Sequence, residues 1–435
     1  MTTSANVAQS VRPAGPRQSK RRSMIASTVG NVLEWYEWSA YAVFAPFIAK
    51  AMFNPTDAVS ALLSTLAVFA VGFLMRPLGG IVFGRVADRR GRKYVLIFTM
   101  LMMAGGSLLI GLMPTYGQIG VGASILLLLA RVAQGFAHGG ESATANTYIA
   151  EIAPPNKRGL WGSIVFVAIF GGSVLAFTIG GLVTNLLDDS LVAAWGWRIP
   201  FLLGALLALA ALYLRRGMEE SEVFDQQKNV AELQTAPALD RGKIAKAILM
   251  MIGMTAGITS AHYTWTAYAS TYAITQQGMD AQSAYWVSVG AQLVALASLP
   301  FWGILSDRIG RRPVLIGFAV AMMIAQIPLM TMITSAPWTL FVASGSALLI
   351  VAAAGAILSP VLSEAFPTAV RTQGIGFAYS LSVAVFGGSA PYLNAYFNSR
   401  GLFLMPSIYI VGLCAITALV VLKMKETKGI DLNDV

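Results

Sequence analysis

A ten-residue charged sequence occurs twice in an otherwise apolar chain, each time between two long hydrophobic runs. Gly84-Arg-Val-Ala-Asp88-Arg89-Arg-Gly-Arg92-Lys93 returns 219 residues later as Gly303-Ile-Leu-Ser-Asp307-Arg308-Ile-Gly-Arg311-Arg312. Both copies read G-x-x-x-D-R-x-G-R-[KR]. Glu151-Ile-Ala-Pro-Pro-Asn-Lys-Arg158 pairs in the same way with Glu364-Ala-Phe-Pro-Thr-Ala-Val-Arg371, and Phe170-Gly-Gly-Ser173 with Phe386-Gly-Gly-Ser389. Three motifs in one order at nearly one offset make the chain two related halves.

The composition says where those halves sit. The chain is 56% hydrophobic and 11% charged, against roughly 25% charged in soluble domains. Apolar runs long enough to cross a bilayer recur near residues 24–52, 58–86, 94–113, 119–151, 159–187, 197–216, 243–276, 282–306, 313–333, 338–364, 371–398 and 401–423. The expectation is an all-α integral membrane protein of twelve transmembrane helices in two pseudo-symmetric six-helix bundles, 24–216 and 243–423. A disordered basic N-terminal tail (1–23), a cytoplasmic linker (217–242) and a cytoplasmic C-terminal tail (424–435) complete it. Long internal repeats mark secondary transporters, whose substrate site lies between the repeats.

The net charge of +10 does not point to nucleic acid. Of 30 Lys and Arg, 25 fall in the N-terminal tail, the loops after even-numbered spans and the C-terminal tail, or at the span ends that border them. That is the positive-inside pattern, and it places both termini in the cytoplasm of a bacterial-type inner membrane. The first apolar stretch is too long for a signal-peptide core and reads as a retained span. The N-terminal tail suits anionic headgroups of the lipid bilayer. The one cysteine, Cys414, excludes an intramolecular disulfide.

Loop charges are inexpensive, whereas a charge at the centre of a span costs about 2.5–3.5 kcal/mol on insertion scales and usually faces a cavity or a partner. The first span carries Asn31, Glu34, Glu37 and Tyr41 on one helical stripe. Two acids one turn apart repel when both ionise, so one needs a raised proton affinity or a cationic neighbour; the alternative is a structural ion pair. The fourth span carries Arg131, Gln134, His138 and Glu141 on another stripe. A guanidinium stays charged and grips carboxylates in bidentate fashion, so Arg131 either neutralises a first-span acid or binds an anionic substrate. Arg76 in the second span is the other interior cation, as suited to a helix-packing pair as to substrate. His138 is a candidate for titration near neutral pH or a hydrogen-bonding packer. The seventh span holds His262, Tyr263, Trp265, Tyr268 and Tyr272, which line a cavity or form an interfacial belt. Gly-Gly pairs at 79–80, 105–106, 139–140, 171–172, 180–181 and 387–388 permit close helix packing.

The paired loops resemble the hallmark motif of the major facilitator superfamily, and Arg131-Val-Ala-Gln134-Gly135 resembles its fourth-helix R-x-x-Q-G motif. Gly30-Asn-Val-Leu-Glu34-Trp-Tyr-Glu37, Gly72-Phe-Leu-Met-Arg76-Pro-Leu-Gly-Gly80, Gly139-Gly-Glu141 and Trp195-Gly-Trp-Arg-Ile-Pro-Phe201 are similar to the metabolite:proton symporters. The last of these, with Phe386-Gly-Gly-Ser-Ala390, looks most like the α-ketoglutarate permease branch. The resemblance implies alternating access around a central cavity. It implies gating by Gly84, Asp88, Arg89 and Arg92 with Asp307, Arg308 and Arg311, completed by Glu151, Arg158, Glu364 and Arg371. It assigns proton coupling to Glu37, or its neighbour Glu34, with Arg131; Glu37 stands where the family usually has aspartate. Arg76, Arg131, His138, Glu141, Tyr41, His262, Trp265 and Tyr268 are the candidate substrate contacts. The chain ends about twelve residues after its last span, without the long coiled coil of the osmoprotectant branch, which counts against osmosensing.

The sequence therefore predicts a monomeric proton symporter for a small organic anion, a mono- or dicarboxylate such as α-ketoglutarate. A betaine or amino-acid carrier using the seventh-span aromatics is the first rival, and a drug exporter the second. No nucleotide loop, metal cluster or Ser/His/Asp arrangement stands out, so neither an enzyme nor a cofactor nor a metal site is expected.

Overall fold

The structure, a computed structural model, describes residues 20–90, 92–139, 153–215, 241–365 and 371–430. Within the hydrocarbon a backbone must satisfy its own hydrogen bonds, which leaves helices as the solution for apolar runs of this length. The described residues are helical throughout their long elements. In the first half these are α1 (Lys20–Val43), α2 (Ala45–Met52), α3 (Ala58–Arg90), α4 (Arg92–Leu112), α5 (Tyr116–Ile119), α6 (Val121–His138), α7 (Arg158–Leu186), α8 (Asp189–Ala194) and α9 (Ile199–Arg215). In the second they are α10 (Arg241–Tyr263), α11 (Ala269–Thr275), α12 (Ala281–Ile309), α13 (Arg311–Met332), α14 (Pro337–Glu364), α15 (Arg371–Ser382), α16 (Ala390–Ser399) and α17 (Met405–Lys423).

Seven of the described helices satisfy length and apolarity for a membrane span on their own. The remaining passes are shorter or are joined from two pieces. α10 runs into α11 through a π-helical turn at Thr264–Tyr268, and α15 into α16 through one at Val383–Gly388. Together they make the twelve passes expected from the apolar runs. The expected tail at 1–23 lies outside the described residues up to 19, and the linker lies outside them from 216 to 240.

The second copy of the repeated loop acquires a physical meaning here. Gly310 separates α12 from α13 alone, with φ of 105°, a conformation that side chains oppose. Seven residues earlier, Gly303 lets α12 touch α7: a Cβ on it would sit 2.6 Å from the Gly159 carbonyl oxygen. One turn on, Asp307 accepts hydrogen bonds from the backbone N–H of Gly159 (2.8 Å) and Leu160 (3.0 Å). These are unsatisfied groups at the positive end of α7. The motif therefore docks the second half onto a helix N-terminus of the first. Arg311 holds Asp307 in place at 2.8 Å and reaches Glu364 at 3.4 Å, while Arg158 lies 3.8 Å from Glu364.

The chain after α17 threads through this cluster. Glu426 accepts from the backbone N–H of Arg311 (2.8 Å) and Arg312 (3.0 Å), capping α13. Thr427 donates to Glu364 at 2.6 Å, and the Ile430 carbonyl accepts from Arg158 at 2.6 Å. Lys428 donates to the backbone carbonyl of the exposed Arg308 at 2.6 Å. The first loop copy is not in an equivalent place, since a Cβ on Gly84 would meet nothing within 4 Å. The side chains of Asp88, Arg89, Arg92 and Arg371, and residue Glu151, lie outside the described residues.

At the opposite face the halves also meet. Tyr285 of α12 donates to the Val43 carbonyl at 2.8 Å, where α1 breaks into α2. Gln282 donates to Asn185 at 2.7 Å. Contacts at both faces enclose the space between the halves.

Two outcomes are expected. Asp307→Asn removes a charge from a helix N-terminus, worth about 0.3–1 kcal/mol, and its bond to Arg311. Spin-label distances between α7 and α14 will shift at least about twofold toward the separated population. For Glu426, partial burial pushes the carboxyl up, but the four N–H groups of Arg311, Arg312, Lys428 and Thr427 outweigh it and hold the carboxyl below the ordinary carboxylate range. Its contribution to closure is therefore fully present above about pH 4.3, the ordinary glutamate value, and is lost as pH falls through the lower folded value. Proteolytic release of the segment after α17 will stay constant from pH 7 to 5 and rise only below about pH 4.

Candidate functional site

The site begins as a glycine seam. α3 and α6 pack backbone against backbone, and a Cβ on Gly135 or Gly139 would collide with the carbonyl of Gly72 or Arg76. The glycine that ends the R-x-x-Q-G motif is thus a spacing device. It brings Arg131 on α6 and Arg76 on α3 around one side chain of α1, Trp38, which is 1% exposed.

Both guanidinium groups lie over that indole, Arg131 at 4.0 Å and Arg76 at 4.2 Å from the ring centroid. Arg131 also faces Tyr41 (4.4 Å) and Arg76 faces Phe73 (3.7 Å). Each aromatic face contributes about 0.5–2 kcal/mol to a desolvated cation, which offsets part of the cost of burial. Hydrogen bonding offsets less: Nε and Nη2 of both arginines have no acceptor among the described residues. Tyr41 uses its hydroxyl elsewhere, donating to the Thr65 carbonyl at 3.0 Å.

Glu37 does not contact Arg131 directly. Gln134 stands between them, accepting from Arg131 Nη1 at 2.9 Å and donating to Glu37 at 3.1 Å and to Ser107 at 2.8 Å. Ser107 in turn donates to Glu37. The network fixes the amide orientation, oxygen toward the cation and nitrogen toward the carboxylate. Gly106 makes the room, since a Cβ there would meet the Gln134 side chain. Glu34, one turn before Glu37, pairs with His138 Nδ1, and the same nitrogen accepts from the Trp38 indole N–H at 3.2 Å.

α1 separates two cavities. One, inside the first half, has an empty volume of about 480 Å³ and is lined on α1 by Glu34 and Glu37, with His138 and Thr99 opposite. The other, about 320 Å³, lies between the halves, lined by Trp35, Trp38, Phe69, Ser173, His262 and Tyr263 among others. Ser173 Oγ and His262 Nδ1 have no partner among the described residues and supply polar atoms to this apolar space. Neither arginine lines it; Trp38 stands in front of both.

The sequence-expected residues divide accordingly. Glu34, Glu37, Arg76, Arg131, His138 and Tyr41 gather around Trp38, and His262 faces the central cavity. Trp265 and Tyr268 turn away into the second half, where Trp265 donates to Gln326 at 2.9 Å and Tyr268 accepts from Asn398 at 3.0 Å. They sit within the π-helical turn, whose extra residue breaks the 3.6-residue spacing used to place them on the cavity face. Glu141 lies outside the described residues. Trp38, Ser107 and Ser173 were not among the candidates, and Tyr263, named with the seventh-span aromatics, does line the cavity. The repeated Phe-Gly-Gly-Ser carried a signal for Ser173 alone.

Residues 23–246 match a family model described as "Sugar (and other) transporter", and residues 250–432 one described as "Major Facilitator Superfamily". The chain belongs to the major facilitator superfamily. It is 35% identical to the alpha-ketoglutarate permease of Escherichia coli K12, over 94% of each chain. It is 32% identical to the proline/betaine transporter of Salmonella typhimurium, over 94% of this chain and 84% of that one. The citrate-proton symporter of Klebsiella pneumoniae is 36% identical over 86% of this chain and 84% of that one. The fold matches a crystal structure of a D-xylose-proton symporter with a TM-score of 0.72 at 19% identity, covering 94% and 98% of the two chains. This superfamily member is a multi-pass membrane transporter.

Gly135→Ala drives a methyl group into the Gly72 carbonyl and separates α3 from α6. The expected cost is at least about 2 kcal/mol, in the upper range for single substitutions, read as a fall in melting temperature in detergent. Gly84→Ala, in open space, will leave it unchanged.

Proposed function

We propose that the protein is a proton symporter that imports a small organic anion, a mono- or dicarboxylate of the α-ketoglutarate kind, by alternating access. The observation that carries this reading is the guanidinium pair at Trp38, with open donors on both arginines. A buried cation with unfilled donors is a site awaiting an anion, and a carboxylate fills a guanidinium edge with two parallel hydrogen bonds.

Charge bookkeeping ties the anion to the proton. Two guanidinium groups, Arg76 and Arg131, face two carboxyl groups, Glu34 and Glu37, so the cluster is neutral when both acids are ionised. Each proton taken up leaves one positive charge uncompensated, which a substrate carboxylate then neutralises. A monoanion travels with one proton and a dianion with two. The loaded cluster is neutral again, so closure and reopening move no unbalanced charge through the hydrocarbon. Both termini lie in the cytoplasm, and the face closed by Asp307, Arg311 and Glu364 is the cytoplasmic gate. The transporter acts as a monomer.

A zwitterion such as a betaine is the second reading, favoured by the aromatic lining of the central cavity and by the similarity to a proline/betaine transporter. Cation–π recognition of an ammonium requires a free aromatic face. Trp38 and Phe73 already carry Arg76, and Trp38 and Tyr41 carry Arg131. Like charge repels a second cation there.

In proteoliposomes, Glu37→Gln will lose accumulation of α-ketoglutarate driven by a pH gradient while retaining exchange of internal for external substrate. Full accumulation by that variant would remove Glu37 as the obligatory carrier. Arg131→Lys keeps the charge but loses the bidentate edge. It will weaken carboxylate binding by roughly tenfold, the worth of one charge-assisted hydrogen bond, measured by calorimetry. Unchanged carboxylate affinity together with betaine binding would favour the zwitterion.

A further inference from the structure

One imidazole nitrogen in this site has two partners. His138 Nδ1 accepts the indole N–H of Trp38 at 3.2 Å and also meets the Glu34 carboxyl. An imidazole nitrogen has a single in-plane position, occupied by a lone pair or by a proton. When a proton lies between Nδ1 and Glu34, whichever of the two owns it, that position is used and the indole N–H loses its acceptor. When no proton lies there, Nδ1 holds Trp38, and the ionised Glu34 stays in the positive field of Arg76. The two bonds are alternatives, exchanged by one proton.

Trp38 is also what stands between the central cavity and the arginines. Its ring lines that cavity, and both guanidinium groups lie against it. Its outer edge is held by Gly72, where a Cβ would come within 2.9 Å of the ring. We propose that Trp38 is a shutter: a proton bound between Glu34 and His138 releases its N–H, and the freed ring uncovers Arg76 and Arg131 to the substrate carboxylate. Proton binding then precedes anion binding. The step forms one hydrogen bond, Glu34 to His138, and breaks one, Trp38 to His138. The only species taken up is the proton. Among the described residues, the other charged and titratable groups around the pair are Arg76, Tyr263, Tyr36, His262 against Trp35, and Glu37 one turn along α1. Trp38 is a positioning residue, acting through the arginines. The inference rests on the anion reading above.

The test is the affinity of the purified full-length protein for α-ketoglutarate by calorimetry at pH 8 and pH 6. The unmodified protein will bind more tightly at pH 6. Trp38→Phe keeps a ring over both arginines but has no N–H, so nothing holds the shutter closed. Its affinity at pH 8 will rise by roughly three- to tenfold, the worth of one neutral hydrogen bond, and the pH dependence will flatten. His138→Gln supplies a carbonyl acceptor that does not titrate, so the shutter stays held. Its affinity will be weak and flat at both pH values. Misfolding cannot produce effects of opposite sign in two variants. A Trp38→Phe protein with the original pH dependence, or two variants shifted in the same direction, would overturn the shutter. A parent protein that binds no carboxylate at either pH would instead overturn the anion reading.

Discussion

Two guanidinium groups buried against one indole carry a large desolvation cost, and the packing of α1, α3 and α6 holds them there. Arg131 reaches Glu37 only through Gln134, and each arginine leaves two nitrogens without acceptors among the described residues. Aromatic faces, one glutamine and the field of two glutamates supply the compensation. That compensation is sufficient for folding and incomplete for electrostatics. Gln134 links Glu37 to Arg131 by hydrogen bonds at both ends of its amide while keeping the two charges apart.

The same economy governs the contact between the halves. The second loop copy uses glycine to bring helices within backbone distance and an aspartate to satisfy the N-terminus of α7. Its arginine shares Asp307 with Glu364. Every member of this cluster is a polar partner that water can replace. The opposite face closes by other means, a tyrosine on a broken-helix carbonyl and an amide pair. The two faces therefore answer to different chemistry: one is rich in charge and sensitive to salt, the other neutral. In the present state both are engaged, and the first loop copy, at Gly84, is not tightly packed.

Much of the fold was legible because the bilayer removes alternatives. Apolar length specified the passes; 338–364, for example, matches Pro337–Glu364, whereas the end of the fourth run, 119–151, lies outside the described residues. The acids of α1 and the arginines of α3 and α6 were legible because a charge in a long apolar run needs a reason. Ser107 and Ser173 carried no comparable anomaly; a serine in a membrane helix can satisfy itself on its own backbone, as Thr65 does on Ala61. Trp38 was hidden in a segment full of aromatics, and its importance appears only when two arginines from different helices converge on it. Trp265 and Tyr268 were misplaced for a different reason. Helical spacing assumes an uninterrupted helix, and the π-helical turn at Thr264–Tyr268 changes the direction in which its side chains point.

The segment after α17 carries one more implication. Glu426, Thr427 and Ile430 join α13, α14 and α7, yet they are synthesised after every helix they join. Two of these helices belong to the second half and one to the first. The tie can therefore form only where α7, α13 and α14 already stand together, so its presence registers that the two halves have met.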